Sequence, residues 1–238
     1  IMAVPLFYYI WIFLKEGKWP DFSIQKPDLL QLGWLNVLAI LATAFALWIY
    51  SLILGDQTTR QIWGQGASHK KYGFISNFLI GSLTWLLAYP LVTAFGQLIA
   101  MLLSLFYQGP HTDQVAIKHL KSIMDSPWLF PITVIEIVTI VPAIEEFIFR
   151  GLLQTWLKGK LGVISAILIT SLIFALFHFS FGQGIDNIEL VLSLFILSCF
   201  LGFVRERQQS LWASIGLHST FNAISIVFLS KLAIIFLL

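Results

Sequence analysis

The sequence predicts an all-α fold, a polytopic bundle of about seven transmembrane helices (six to eight) with a polar cavity inside the membrane. Three observations carry that reading. Of the 238 residues, 58% are hydrophobic and 11% charged, whereas a soluble domain carries about 25% charged residues. The apolar residues fall into long unbroken runs, on the scale of the roughly 20 residues an α-helix needs to cross a bilayer. Several ionisable side chains sit inside the later runs, where each costs at least about 2.5 kcal/mol if it faces hydrocarbon, so they face protein or water. A transmembrane β-barrel is excluded because its strands alternate every second residue, while these runs are continuously apolar.

In chain order, residues 1–14 are apolar but too short to cross and carry no basic n-region, so they read as a span truncated at its start. Residues 15–33 mix Lys15, Glu16, Lys18, Asp21, Lys26 and Asp28 with two prolines and read as an aqueous loop. A span is expected at 34–54. Residues 55–73 form a polar connection with an interfacial helix around Trp63. The run 74–107 is too long for one upright helix and too short for two crossings with a turn. It predicts one tilted or kinked helix, with Pro90 at its middle. A third polar stretch, 108–126, precedes a long helix over 127–157 that ends at Lys158-Gly159-Lys160. Further spans are expected from 161 to about 180, 188–204 and 211–229, joined by the glycine-rich loop 181–187 and the charged turn 205–209. The tail, 232–238, cannot span alone. The chain divides into N-terminal helices of unassigned role over 1–127 and a core over 128–230 that carries the polar motifs.

Charge and cysteine content narrow the partners. The net charge of +2 comes from scattered lysines and arginines without a basic stripe, so no nucleic acid partner is expected. Cys199 is the only cysteine, which rules out an intramolecular disulfide. With alternating loops, the side holding 55–73, 150–160 and 205–209 has eight Lys or Arg against six opposite. The positive-inside rule then makes that side cytoplasmic.

Three clusters within the core carry polar residues: Glu145-Glu146 with Arg150, Phe174 with His178, and His218 with Asn222. Glu146 and Arg150 are four apart with the glutamate first, the favourable order for a helical ion pair, while Glu145 is turned about 100° away. Arg150 can neutralise Glu146 and leave Glu145 free. At 1.5 Å per residue, Glu145 and His178 lie roughly 20 and 27 Å from the Lys158–Lys160 turn, and His218 and Asn222 on the order of 12 and 18 Å from the turn before Leu211. Helix tilt can absorb that spread. Glutamate and imidazole together can polarise a water as general base, and a second imidazole with an amide can donate to a developing oxyanion. Glu145, His178 and His218 could alternatively hold a zinc ion, Zn2+, with a position open for water. Glu145, Glu146 and Arg150 also read as one compensated ion cluster that only holds helices together. His69, His111 and His119 are expected at the solvated surface.

Glu145-Glu146-x-x-x-Arg150, Phe174-x-x-x-His178 and His218-x-x-x-Asn222, with Arg150-Gly-Leu-Leu-Gln154 and Ser210-Leu-Trp-Ala213, resemble the CAAX-prenyl-protease and bacteriocin-processing (CPBP, formerly Abi) intramembrane endopeptidases. The resemblance implies a multi-pass integral membrane protein, in a bacterial plasma (inner) membrane, that hydrolyses peptide bonds of membrane-associated peptide or protein substrates in the lipid bilayer. It further implies that Glu145 activates a water with His178, that Arg150 holds Glu146, and that His218 and Asn222 stabilise the oxyanion. The family carries the label metalloprotease, yet the sequence lacks a His-Glu-x-x-His run. No organic cofactor is expected. A non-catalytic immunity or assembly factor with the same fold is the alternative.

Overall fold

The computed structural model describes residues 15, 17, 29–63, 73–109 and 114–237, with side chains up to residue 228. All regular elements among them are helical. We number them α1 (Leu29–Ile53), α2 (Asp56–Trp63), α3 (Phe74–Ser104), α4 (Val115–Ile123), α5 (129–161), α6 (Val163–Leu176), α7 (Asp186–Gln208) and α8 (Leu211–Leu237). Four of these, α1, α3, α7 and the Leu211–Phe228 part of α8, are long and apolar enough to cross a membrane. The long α5 and the short apolar α6 bring the described hydrophobic helices to six. The expected first span, 1–14, lies outside the described residues, as do His69 and His111.

The outer surface is what lipid contact requires. Leu38, Phe45 and Leu52 of α1 and Leu83, Leu86, Leu87 and Leu91 of α3 are exposed, and in helices every backbone group is met within the segment. Burial concentrates where α3, α7 and α8 meet, around Ala88, Val92, Leu197, Leu201, Ala213 and Leu217. Helices α3 and α8 approach to backbone contact. A Cβ at Gly81 would overlap the Ala213 carbonyl, and one at Gly216 would overlap the carbonyl of Phe78. Small residues permit such contact between apolar helices, which gain nothing from hydrophobic exclusion within lipid.

Helix α3 runs through Pro90 as the single element expected. Two other expectations change. The last helix continues through the tail to Leu237, where a separate short tail was expected. The span expected from 161 to about 180 stops at Leu176, so α6 has only 14 residues, about 21 Å. Two devices bound α6. Gly162 takes φ 80°, a left-handed conformation that glycine adopts without strain, and separates it from α5. Buried Asn187 closes the following loop, accepting from Ser180 N–H at 2.9 Å and donating to Ser180 O at 2.6 Å.

Helix α5 is continuous but not uniform: Glu136–Ile140 and Phe147–Gln154 are π-helical turns. Such turns occur mostly as bulges inside α-helices, frequently at functional sites.

One end of the bundle is tied together by polar side chains. Arg205 Nη2 donates to Thr155 Oγ1 at 2.8 Å and to Gln61 O at 3.2 Å. Glu206 accepts from Lys158 at 2.6 Å, from Gln154 at 3.1 Å and from Arg205. The three connections placed on one side of the membrane by simple alternation thus meet in space. The stretch 205–209, expected as a charged turn, is instead mostly the last turn of α7, with Arg205 only 3% exposed. Pairing with Glu206 is what permits its burial.

Candidate active site

The polar turn of α5 is built on an ion pair set by helical spacing. Arg150 Nη1 donates to Glu146 Oε1 at 2.9 Å, and both side chains are fully buried. The other guanidinium arm reaches α7, where Nη2 donates to Ser198 Oγ at 2.6 Å and to Ser198 O at 3.2 Å. The Phe174 ring lies 4.6 Å from the guanidinium carbon. A buried charge persists only when paired and hydrogen-bonded, and Ser198 and Phe174 complete what Glu146 begins.

Helix α8 delivers His218 to the same turn. Its Nδ1 lies 2.9 Å from Glu146 Oε1, and its Nε2 lies 3.7 Å from Glu145 Oε2. One imidazole therefore faces both glutamates. Glu146 is closed off, while the Glu145 side chain keeps 23% of its surface exposed. The depth mismatch expected between α8 and α5 is absorbed because α8 begins inside the bundle. Leu211 lies level with Gly151, with 3.8 Å between Leu211 Cδ2 and the position of a Gly151 Cβ.

His178 is held differently. It lies just past the end of α6, where its N–H donates to Ala175 O. Its Nδ1 is 2.9 Å from Phe174 O. A carbonyl can only accept, so Nδ1 carries the proton and Nε2 is the open nitrogen. His178 makes no ion pair with Glu145. Both imidazoles instead contact the Phe174 ring, at centroid distances of 4.8 Å for His178 and 5.9 Å for His218. Asn222 shares the inward face of α8 with His218, and its Nδ2 donates to Ile137 O at 3.0 Å.

No group of three His, Cys, Asp or Glu side chains among the described residues is close enough to hold a metal ion. The set Glu145, His178 and His218 is not gathered for one. His119 is not a solvated surface residue. It is half-buried in α4, its Nε2 is enclosed without a hydrogen-bond partner among the described residues, and burial lowers its pKa.

Residues 127–224, which include Glu145, Glu146, Arg150, His178, His218 and Asn222, match the family model described as Type II CAAX prenyl endopeptidase Rce1-like. Over these 98 of its 238 residues the chain is similar to that family. No curated protein and no solved structure matches the chain. The Rce1-like region contains supporting residues that sequence reasoning missed. Ser198 carried no signal because serine is common in apolar helices, and Asn187 sat in a glycine-rich stretch where loop chemistry alone explained it.

Proposed function

We propose that the protein is an intramembrane endopeptidase whose water is activated between Glu145 and His218. The observation that carries this reading is the position of one imidazole between two carboxylates of unlike environment. Glu146, neutralised by Arg150, takes the Nδ1 proton of His218 in a hydrogen bond, which fixes the tautomer and turns the Nε2 lone pair toward Glu145. Holding a base by a third group is the logic of catalytic triads.

A water within hydrogen-bond reach of both Nε2 and Oε2 gives up a proton as its oxygen attacks the peptide carbonyl. The C=O electrons move onto oxygen to form a tetrahedral oxyanion. Collapse breaks the C–N bond, and the proton held by the Glu145–His218 pair passes to the leaving amine. A carboxylic acid and a free amine result. His178, with Nδ1 spent on Phe174 O and Nε2 open, is assigned to the oxyanion, which it meets as a donor when protonated. The substrate class is a membrane-associated peptide or protein.

The test uses purified protein in liposomes with two membrane-tethered reporter peptides, one ending in a prenylated CAAX sequence and one unprenylated. Cleavage yields a new amino terminus in at least one reporter, and His218→Gln, which cannot act as a base, abolishes it. Cleavage undiminished in His218→Gln would reject the assignment.

A further inference from the structure

The hydrogen bond from Asn222 to Ile137 has a backbone cause. In the π-helical turn Glu136–Ile140 the ladder reaches five residues back, and Val141 N–H donates to Glu136 O. The next donor in that ladder belongs to residue 142 and would serve Ile137 O. Residue 142 is proline, which has no N–H. The Ile137 carbonyl is thus left without its helical donor in an apolar bundle, where water is scarce and an unmet carbonyl is costly. Asn222 Nδ2 meets it at 3.0 Å from the neighbouring helix.

We infer that Asn222 is a positioning residue: it supplies the N–H that Pro142 lacks, and so sets the register of α8 against α5. His218 is one turn away on the same face of α8, and the 3.7 Å gap between its Nε2 and Glu145 depends on that register. Two cross-links define it, Asn222 to Ile137 and His218 to Glu146. A proline and an asparagine 80 positions apart therefore act as one unit. The inference rests on the proposed proteolysis only for its turnover readout.

A double-mutant cycle tests it, with Pro142→Ala, Asn222→Ala and the double variant compared by kcat on a tethered reporter and by Tm. Asn222→Ala lowers kcat by about 10²-fold through misplacement of His218 and lowers Tm by about 4 °C. Pro142→Ala alone stays close to the wild type. The double variant recovers most of both losses, because the alanine N–H now serves Ile137 O. Tm losses that simply add would overturn the inference. So would a kcat loss that persists in the double variant, the result expected if Asn222 touched the oxyanion itself. If Asn222→Ala does not fold, recovery of folded double variant supports the coupling and its failure to fold refutes it. If the wild type cleaves no reporter, the proteolysis reading fails while the Tm cycle still decides this one.

Discussion

His218 Nδ1 lies 2.9 Å from Glu146 Oε1, across 72 positions of sequence. Glu146, the most deeply buried glutamate among the described residues, thereby reaches the half-open surface of Glu145 through a single ring. Glu146 serves two partners at one oxygen, Arg150 and His218, so charge neutralisation and orientation of the His218 ring depend on the same atom.

Glu145→Gln separates catalysis from scaffolding. The amide keeps the size of the side chain and removes the basic oxygen, so turnover falls by about 10² to 10⁴, the usual worth of a general base. Folding survives, because Arg150 keeps Glu146 as its partner. The measurement is reporter cleavage beside a melting curve for each protein. Equal turnover in variant and wild type rejects Glu145 as the base.

Arg150 is tested by stability. Arg150→Ala strands Glu146 as a buried unpaired charge and costs about 3 to 5 kcal/mol. Arg150→Lys rescues little, since a single ammonium cannot bridge Glu146 on one side and Ser198 on the other as the planar fork does. Thermal unfolding in detergent reads both. A lysine variant as stable as the wild type would show that the Ser198 arm contributes nothing.

Gly81→Ala is a change of one methyl group on a lipid-embedded helix, where alanine is ordinarily the better helix former. Here the methyl meets the Ala213 carbonyl, and α3 must move away from α8. A loss of about 1 to 3 kcal/mol is expected from the overpacking. Unchanged or raised Tm would mean that the two helices separate freely.

His119 provides a pH signature outside the spans. Burial lowers its pKa in the folded protein below the ordinary value of 6.5, so the folded state binds its proton less readily than the unfolded chain does. The stability contributed by neutral His119 is present above about pH 6.5 and is lost as pH falls below it. His119→Phe keeps the packing and removes the proton site. The difference in Tm between variant and wild type should widen from pH 7.5 to pH 5.5. A constant difference would place the ring in solvent.

Much of this protein was legible in its sequence where the cause is local. The spacing of Glu146 and Arg150 suffices to pair them, and long apolar runs suffice for the spans. The extent of α6 was not legible, because the loop that stops it is closed by Asn187 acting at a distance of seven residues. Arg205 looked solvated because the four residues that follow it, Glu206, Arg207, Gln208 and Gln209, are all polar or charged, whereas its partners Thr155 and Gln61 arrive from elsewhere in the chain. The π-helical turns of α5 have no periodicity of their own, and Pro142 is the one residue that hints at the first of them. The choice of His218 over His178 as the neighbour of Glu145 depends on where α8 begins in space, which spacing along the chain does not encode.

The close approach of Gly81 to Ala213 and of Gly216 to Phe78 means that similarity and folding divide this chain differently. The stretch similar to a known family starts at residue 127, yet the helix bearing His218 is seated on one that lies upstream of it. Ile62, also upstream, lies against the position a Gly151 side chain would fill, in the turn that carries Arg150. Cutting the chain at residue 127 would leave the part that bears the polar motifs without the wall it leans on. A chain given other first helices would have to keep the small residues matched across that seam, or lose the seat of the histidine.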